Sequence, residues 1–248
     1  NAQLIFNLNI LKQKITCAIA VIDCVVKLTI AAPFDSNNGI KIKNSSFSNN
    51  WDLSNQKYMV LMSLFSKPIS AFEIEKNFIT KNKFSSTIGV ETDNGKIFLN
   101  DNIINESINN GEIFTISGIE SILEKNEIIS CVHGGAVFLF SCINSIVRDS
   151  KIFDSRSIQN NTFPYLFQSQ TTKKLSITNL TSLKTEFRPV TTPSQSYPDT
   201  LIFTNSVISG STSPLSLLKA NHYAYVSHCA FDAPDCSWFP NGAVCGPG

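Results

Sequence analysis

The sequence predicts an all-β protein, built as a parallel β-solenoid whose coils contain about 24 residues each. Three observations lead to this prediction. A short motif, with a polar turn residue between apolar residues, recurs at intervals near 24. The composition favours strands and turns, with 29 Ile, 31 Ser and 25 Asn against 12 Ala and 9 Glu. Turn residues followed directly by apolar runs are also frequent.

The recurring motif carries Asn at six of its nine positions. The successive intervals between these positions are 21, 33, 25, 24, 24, 29, 26 and 23. In stacked coils, an Asn at one corner can hydrogen-bond to the coils above and below it, which satisfies its buried amide. We therefore predict a ladder of corner residues. Its members are Asn44, Asn77, Asn102, Asn126, Asn179 and Asn205.

Glycine turns precede four of the predicted strands, and we expect them to use the positive φ that glycine tolerates. The interval from Gly111 to Gly135 is again 24, whereas that from Gly95 to Gly111 is 16, so the turns cannot all occupy one corner. The four turn segments are residues 37–40, 93–97, 109–113 and 133–137.

Two alternative structures remain open at this point. A β-sandwich or barrel also contains many short strands, but its turns typically follow one another after about 8 to 12 residues. The segment 119–126 also fits one turn of an amphipathic helix, although the phase of the repeat favours a strand there.

The chain divides into a predicted solenoid, residues 1–228, and a tail, residues 229–248. The tail is rich in Cys, Pro and Gly, with three of each, which is typical of a cysteine-stapled cap or of the start of a following module. Within the solenoid, residues 187–198 are rich in Pro and Thr and are predicted to protrude as a loop.

Charge and hydropathy exclude several partners. The net charge is +1 and charged residues make up 16% of the chain, so no basic field is present to attract nucleic acid. The one long apolar run, residues 15–32, contains Asp23 and Lys27 near its middle. We therefore expect no nucleic-acid partner and no membrane span.

Cysteines and glycosylation sequons point to a secreted or cell-surface protein. Sequons occur at Asn44, Asn105, Asn160 and Asn179. The seven cysteines show no CxxC spacing, so no metal site is predicted. The simplest bridges join Cys17 to Cys24, Cys131 to Cys142 and Cys229 to Cys236, and leave Cys245 for a partner outside the chain. Bridges between adjacent coils are the alternative.

Two short motifs resemble known repeat proteins. Residues 134–137 read GGAV and residues 47–50 read FSNN, whereas the motif expected after GGAV has Arg156 in place of Asn. With its repeats, the chain resembles right-handed parallel β-helix proteins of the pectate-lyase-like type and, more loosely, the GGA[ILV] and FxxN repeats of polymorphic outer-membrane proteins. The resemblance implies a right-handed solenoid, exposed on a surface or secreted, often adhesive and often one module of a longer chain.

Enzymes that act on polysaccharides also use β-helices, so the charged residues are possible catalytic groups. The best cluster is formed by Glu124, Glu127, Arg148, Asp149, Lys151 and Asp154. Hydrolysis needs two carboxylates that face one groove, and solvent-facing charges explain this cluster more simply. His133 lies beside two glycines without a nucleophile motif, and His222 and His228 fit packing roles. No catalytic residue, cofactor or metal is predicted.

The expected function is that of an extracellular structural or adhesive β-solenoid. Its first residues, Leu4 to Leu11, read as an uncharged strand, which predicts stacking end to end on neighbouring modules or on other subunits. The alternatives are a polysaccharide lyase or hydrolase, and a module that binds glycans through Trp51, Tyr197 and Trp238. An outward row of acidic residues would favour the enzyme, and an outward row of aromatic residues the binding module.

Overall fold

The computed structural model describes residues 24–30, 40–48, 60–66, 71–84, 86–93, 95–158, 165–169, 171–185, 188–191, 199–210 and 223–232. Within these residues, every strand pairing is parallel and no helix is present. The prediction of an all-β parallel solenoid is confirmed, and a sandwich or barrel of antiparallel hairpins is excluded for this part of the chain.

The described residues form 25 strands. In chain order they are β1 (Cys24–Ile30), β2 (Ile40–Lys43), β3 (Ser46–Ser48), β4 (Val60–Ser66), β5 (Ala71–Glu75), β6 (Phe78–Thr80), β7 (Lys83–Phe84), β8 (Ser86–Thr92), β9 (Lys96–Asn100), β10 (Ile103–Asn105), β11 (Ile108–Asn109), β12 (Phe114–Glu124), β13 (Glu127–Ile129), β14 (Val132–His133), β15 (Phe138–Arg148), β16 (Lys151–Phe153), β17 (Arg156–Ser157), β18 (Tyr165–Ser169), β19 (Lys174–Thr178), β20 (Thr181–Leu183), β21 (Arg188–Thr191), β22 (Thr200–Thr204), β23 (Val207–Ile208), β24 (Tyr223–Ser227) and β25 (Ala230–Phe231).

Three sheets form the sides of the solenoid. The first sheet has 13 strands, the second has eight and the third has four. The second sheet contains β3, β6, β10, β13, β16, β20, β23 and β25, the third contains β7, β11, β14 and β17, and the first contains the rest. A coil therefore runs from the first sheet through a first corner to the second sheet, and through a second corner to the third.

The register of the second sheet confirms the predicted coil length. Each strand pairs with the corresponding strand of the next coil, and the successive offsets in residue number are 32, 25, 24, 24, 30, 26 and 23. The two middle steps, from Ile103 to Glu127 and from Glu127 to Lys151, match the predicted interval. Longer coils carry their extra residues outside the paired strands, as solenoid insertions do.

The segment 119–126, which also fits a helical turn, belongs to a strand and a corner. Strand β12 continues to Glu124, and the whole strand pairs with β15 in register. The first half of β12 pairs with β8 and the second half pairs with β9. This long strand therefore continues both of these shorter strands into the next coil of the first sheet. The repeat phase predicted this element correctly. Buried and half-buried residues alternate within each half of β12, as in a strand, and the alternation is interrupted at residues 117–120.

The core consists of stacked apolar columns. Along the second sheet, Ile79, Ile104, Ile128 and Ile152 lie above one another and are fully buried. In the first sheet, the rings of Phe114, Phe138 and Phe167 stack with centroids 5.2 Å apart at each step. The columns remove apolar side chains from water in every coil, which provides the main driving force for stacking.

The glycine turns differ from the prediction. Gly111, Gly134 and Gly135 do not have positive φ. Glycine is required at position 134 by close approach, because a Cβ atom there would lie 2.2 Å from the carbonyl oxygen of Asn110 in the preceding coil. The expectation of positive φ at these turns is therefore wrong, and the stacked backbone is the reason for glycine.

Two predicted boundaries are also changed. Strand β25 pairs with β23, so the solenoid continues past residue 228. The segment 187–198, predicted to protrude as a loop, contains strand β21, which pairs with β18 in the first sheet. The described part of this segment therefore belongs to the sheet. Residues 1–23 and the tail from residue 233 lie outside the described residues.

Candidate functional site

Each corner is made by a residue in the left-handed conformation. Thirteen non-glycine residues of the described part have φ between 47 and 56°. At the first corner they include Lys76, Asp101 and Lys125, and at the second corner Lys81 and Glu106. The next residue in the chain points inward at each corner. It is a small polar residue at most corners, whereas Leu180 and Cys131 occupy this position elsewhere.

A buried amide ladder fills the first corner. Asn77, Asn102 and Asn126 are at most 1% exposed. The Nδ2 group of Asn77 donates to Oδ1 of Asn102 at 3.0 Å, and Nδ2 of Asn102 donates to Oδ1 of Asn126 at 3.0 Å. The same oxygens accept from the backbone N–H of the preceding coil, at 3.1 and 3.2 Å. Each amide therefore joins two coils.

The other three predicted ladder members are not part of this ladder. Asn44, Asn179 and Asn205 lie one position earlier, at the exposed left-handed residue of the corner. The inward positions of those coils are Ser45, Leu180 and Ser206. The motif mixed two adjacent columns, because Asn is favoured both in the left-handed conformation and as a buried hydrogen-bonding side chain.

A second ladder, at the second corner, was not predicted. Its inward residues are Asn82, Ser107, Cys131, Ser155 and Thr185, all buried. Most of them bond a carbonyl two residues earlier in their own coil, as Ser107 does to Asn105 at 3.2 Å. The residue type changes at each step, so only the spacing from the first corner could have revealed this ladder.

The predicted charged cluster forms ion pairs between coils. Arg148 donates to Oε2 of Glu124 through Nη2 at 2.6 Å and through Nε at 3.1 Å. Lys151 donates to Glu127 at 2.9 Å. Asp149 and Asp154 are the left-handed residues of their two corners, and Asp149 accepts from the side chain of Asn179 at 2.8 Å. The cluster is thus spread over two outer faces.

These ion pairs stabilise the charged form of the carboxylates. The pKa of Glu124 is lowered from its ordinary value, first by the hydrogen bond from Arg148 and then by the one from Lys125. The pKa of Glu75 is lowered in the same way by Lys43 and then Lys76. A general acid in glycoside cleavage needs the opposite shift. The arrangement therefore gives charge neutralisation between coils.

The histidines and potential metal ligands are placed as follows. His133 is buried, and its Nδ1 donates to the carbonyl of Gly135 at 2.8 Å. Burial lowers the pKa of His133, so the ring is neutral near pH 7. His228 is exposed at a corner and bonds Ser227, and His222 lies outside the described residues. Among the described residues, no group of three His, Cys, Asp or Glu side chains is arranged to hold a metal.

The predicted bridge between Cys131 and Cys142 is absent. Both thiols are free and buried, and they donate to backbone carbonyls of other coils. Burial raises the pKa of Cys131 to about 12 and that of Cys142 to about 11, which makes them unreactive. Cys229 is also free and half-buried, so the predicted bridge from Cys229 to Cys236 is not formed. The thiols of Cys17, Cys24, Cys236 and Cys245 fall outside the described side chains.

The four sequons differ in accessibility. Asn44 and Asn179 are exposed at corners. Asn105 is half-buried, and Ser107 of its sequon is fully buried. Asn160 lies outside the described residues, as do the aromatic side chains of Trp51, Tyr197 and Trp238.

The outer face of the first sheet carries a continuous row of mostly apolar side chains, here called the outer apolar column. Its members pair in register between coils and are Phe98, Ile122, Ile146, Ser176, Ile202 and Tyr225. Beyond Phe98 the same row continues with Glu73, so the apolar part ends there. All but Tyr225 are half-buried, and Tyr225 is 45% exposed. Polar columns flank it on both sides. One contains Lys96, Glu120, Asn144 and Lys174, and the other contains Asn100, Glu124, Arg148 and Thr178.

Comparison with known protein families, with curated proteins and with solved structures gives no match for this chain. Within the described residues, no helix has the length and apolar character needed to cross a membrane. The candidate functional site is therefore defined by this chain's own geometry, which is an outer surface of stacked apolar and ion-paired columns.

Proposed function

We propose that this chain is a non-enzymatic structural or adhesive β-solenoid that acts outside the cell or at its surface. The observation that supports this most directly is the make-up of the outer face of the first sheet. Its rows in the described residues are apolar or ion-paired, and neither a row of carboxylates nor a row of aromatic rings follows the coils.

The charged residues support a structural role over a catalytic one. Glu120 pairs with Lys96 at 2.7 Å, and Glu124 pairs with Arg148 at 2.6 Å. A carboxylate held by a cation in the next coil joins coils, and it is poorly suited to give or take a proton near neutral pH.

The last described coil has open edges among the described residues, and we propose that a further coil, from this chain or from another copy, stacks on it. Strands β24 and β25 lie at the edges of the first and second sheets among the described residues. Ala224, at an inward position, is exposed, while Val226 and Phe231 are half-buried against the core. A coil of this kind offers both apolar side chains and backbone groups to a further coil.

Two measurements test the proposal. Incubation of the protein with a panel of plant, fungal and bacterial polysaccharides should release no reducing sugar and no unsaturated product. Peptide mapping of protein purified from its native source should find glycans at Asn44 or Asn179, since both are exposed. Measurable polysaccharide cleavage would refute the non-enzymatic assignment, and unmodified sequons throughout would count against an extracellular location.

One observation favours glycan binding as a second candidate function. Tyr223 and Tyr225 are 54% and 45% exposed and lie on the same face of β24. Two such rings can stack against successive sugars of a chain. Replacing both by Ala should then abolish retention on the polysaccharide that the native protein binds.

A further inference from the structure

We propose that the outer apolar column is the interface through which two copies of this chain associate side by side. The proposal goes beyond stacking through coil ends, because it uses a lateral face of the solenoid. Its core is the pair of isoleucines at the centre of the column, Ile122 and Ile146, which are adjacent in register.

The face has the organisation of a protein interface. Apolar side chains occupy its centre and charged or polar side chains its two margins, as in interfaces with a dry core and a polar rim. The column extends over six strands, or about 24 Å, and the face is about 17 Å wide. The area of this face, the product of the two lengths, is about half of the roughly 800 Å² per partner of a standard interface. We therefore expect a weak dimer that forms as the protein concentration rises.

The charges on the margins select a second copy of the same chain. Two such sheets can pack face to face, related by a two-fold axis parallel to the strands and midway between β12 and β15. In that arrangement Ile122 meets Ile146 of the second copy. Glu124 meets Arg148 of the second copy, and the same contact recurs by symmetry. The face is therefore complementary to itself.

Two of the other arrangements bring like charges together. A two-fold axis parallel to the solenoid would place Glu120 of one copy against Glu124 of the other. An axis centred on β15 would place Arg148 against Arg148. With the axis between β12 and β15, one pair of lysines, Lys96 and Lys174, also faces across the interface, but Lys96 is already neutralised by Glu120 at 2.7 Å.

A two-fold axis midway between β9 and β12 also avoids like charges, because it places Lys96 against Glu120 and Arg148 against Glu75 of the second copy. Charge exchange at Glu124 and Arg148 distinguishes the two registers, since only the axis between β12 and β15 brings these two residues together.

Sedimentation velocity over a concentration series tests the interface. The native chain should show reversible dimerisation, and Ile122→Lys or Ile146→Lys should weaken it at least tenfold. Ile129→Lys is the matched control, because Ile129 is an outward, half-buried isoleucine on the second sheet. It should leave dimerisation unchanged. Thermal unfolding of each variant shows whether the solenoid itself is intact.

Charge exchange separates contacts between chains from contacts within a chain. Glu124→Arg alone and Arg148→Glu alone each place like charges across the two-fold axis and should be monomeric. Mixed in equal amounts, the two variants should form a heterodimer, because every pair across the axis is then of opposite sign. A role of these residues only within one chain predicts no recovery on mixing.

A native chain that stays monomeric up to its solubility limit would overturn the proposal, and so would equal weakening by Ile129→Lys. The outcome is independent of stacking through the coil ends. Growth by end stacking gives species of unlimited size that persist in the Ile122→Lys variant, whereas lateral association stops at two copies.

Discussion

The two corners of each coil share a backbone conformation but differ in how their side chains bond. At the first corner, Asn102 accepts from Asn77 in one neighbouring coil and donates to Asn126 in the other. At the second corner, Ser155 donates to the carbonyl of Phe153 in its own coil, at 3.3 Å. The amides of the first corner therefore join successive coils, while the smaller side chains of the second corner mainly bond their own coil. Asn82, the amide of the second corner, also bonds another coil, since it donates to the carbonyl of Phe47 at 3.0 Å.

This difference teaches that position places a side chain inside the corner, whereas residue type decides whether it joins coils. A left-handed residue followed by an inward small polar residue is present at both corners. Only where the side chain is an amide, with a donor and an acceptor at opposite sides, can it bond both neighbours at once. Mutations at the two corners should thus have unequal effects.

Asn102→Leu should produce the largest loss of stability. The substitution removes the acceptor of the Asn77 N–H at 3.1 Å and the donor to the Ile74 carbonyl at 2.9 Å. Each buried group left unsatisfied costs about 1 to 3 kcal/mol, so the free energy of unfolding should fall by about 3 kcal/mol or more. Urea denaturation measures this. Asn105→Leu, on an outward position of the same coil, should change it by less than about 0.5 kcal/mol.

Ser150→Ala and Ser155→Ala compare the two corners within one coil. Ser150 accepts from the Asn126 N–H at 3.2 Å, so its removal leaves a buried backbone group of the preceding coil unpaired. We expect Ser150→Ala to cost about 2 kcal/mol and Ser155→Ala about 1 kcal/mol. Equal losses in urea denaturation would show that the corners are energetically alike.

The pH dependence of stability should report on His133, which follows the second corner. Burial lowers its folded-state pKa below the ordinary value of 6.5. The unfolded chain therefore takes up a proton first as the pH falls, and it is stabilised by doing so. The free energy of unfolding should decrease from pH 7 to pH 5.5.

His133→Gln is the control for this effect. Its unfolding free energy should vary less over the same range, because the remaining described carboxylates with resolved shifts titrate below their ordinary value of 4.5. An unchanged slope in the variant would assign the pH dependence to other groups.

Ser130→Gly should have the smallest effect and the opposite sign. Ser130 is exposed at φ 51°, a conformation that costs an L-residue about 1 to 2 kcal/mol. Glycine avoids this cost but loses about 0.5 to 1 kcal/mol in chain entropy, so a net gain of a few tenths of a kcal/mol is expected. Differential scanning calorimetry should show a higher Tm. Ser46→Gly, in strand β3, should lower it.

The sequence predicted the coil length, the parallel sheets and three members of the amide ladder. It could do so because Asn77, Asn102 and Asn126 combine one residue type with near-constant spacing. It misplaced Asn44 by one position, since two adjacent corner positions both favour Asn. It predicted a bridge at Cys131, because the sequence distance to Cys142 carries no information on which sheet each residue faces.

The outer apolar column escaped sequence analysis for a related reason. Its residues lie in different coils, and the spacing from Phe98 to Ile122 to Ile146 is 24 each time, but Ser176 and Ile202 follow at 30 and 26. Alternation within one strand shows only that a side chain points outward. Which outward residues line up is known only after the register between coils is known.

The uniform pairing of each coil with the next also determines how the protein should respond to mechanical load. Each described coil of the second sheet is joined to its neighbours through short strands, such as β13, β16 and β20. Tension applied to the two ends of the chain loads the outermost coil first, and the interior coils carry it only after that coil has come away. A central coil of about 24 residues releases about 80 Å of extended chain when it detaches. Stretching should therefore lengthen the protein in successive steps whose sizes follow the lengths of the coils, with steps of about this size from the central coils.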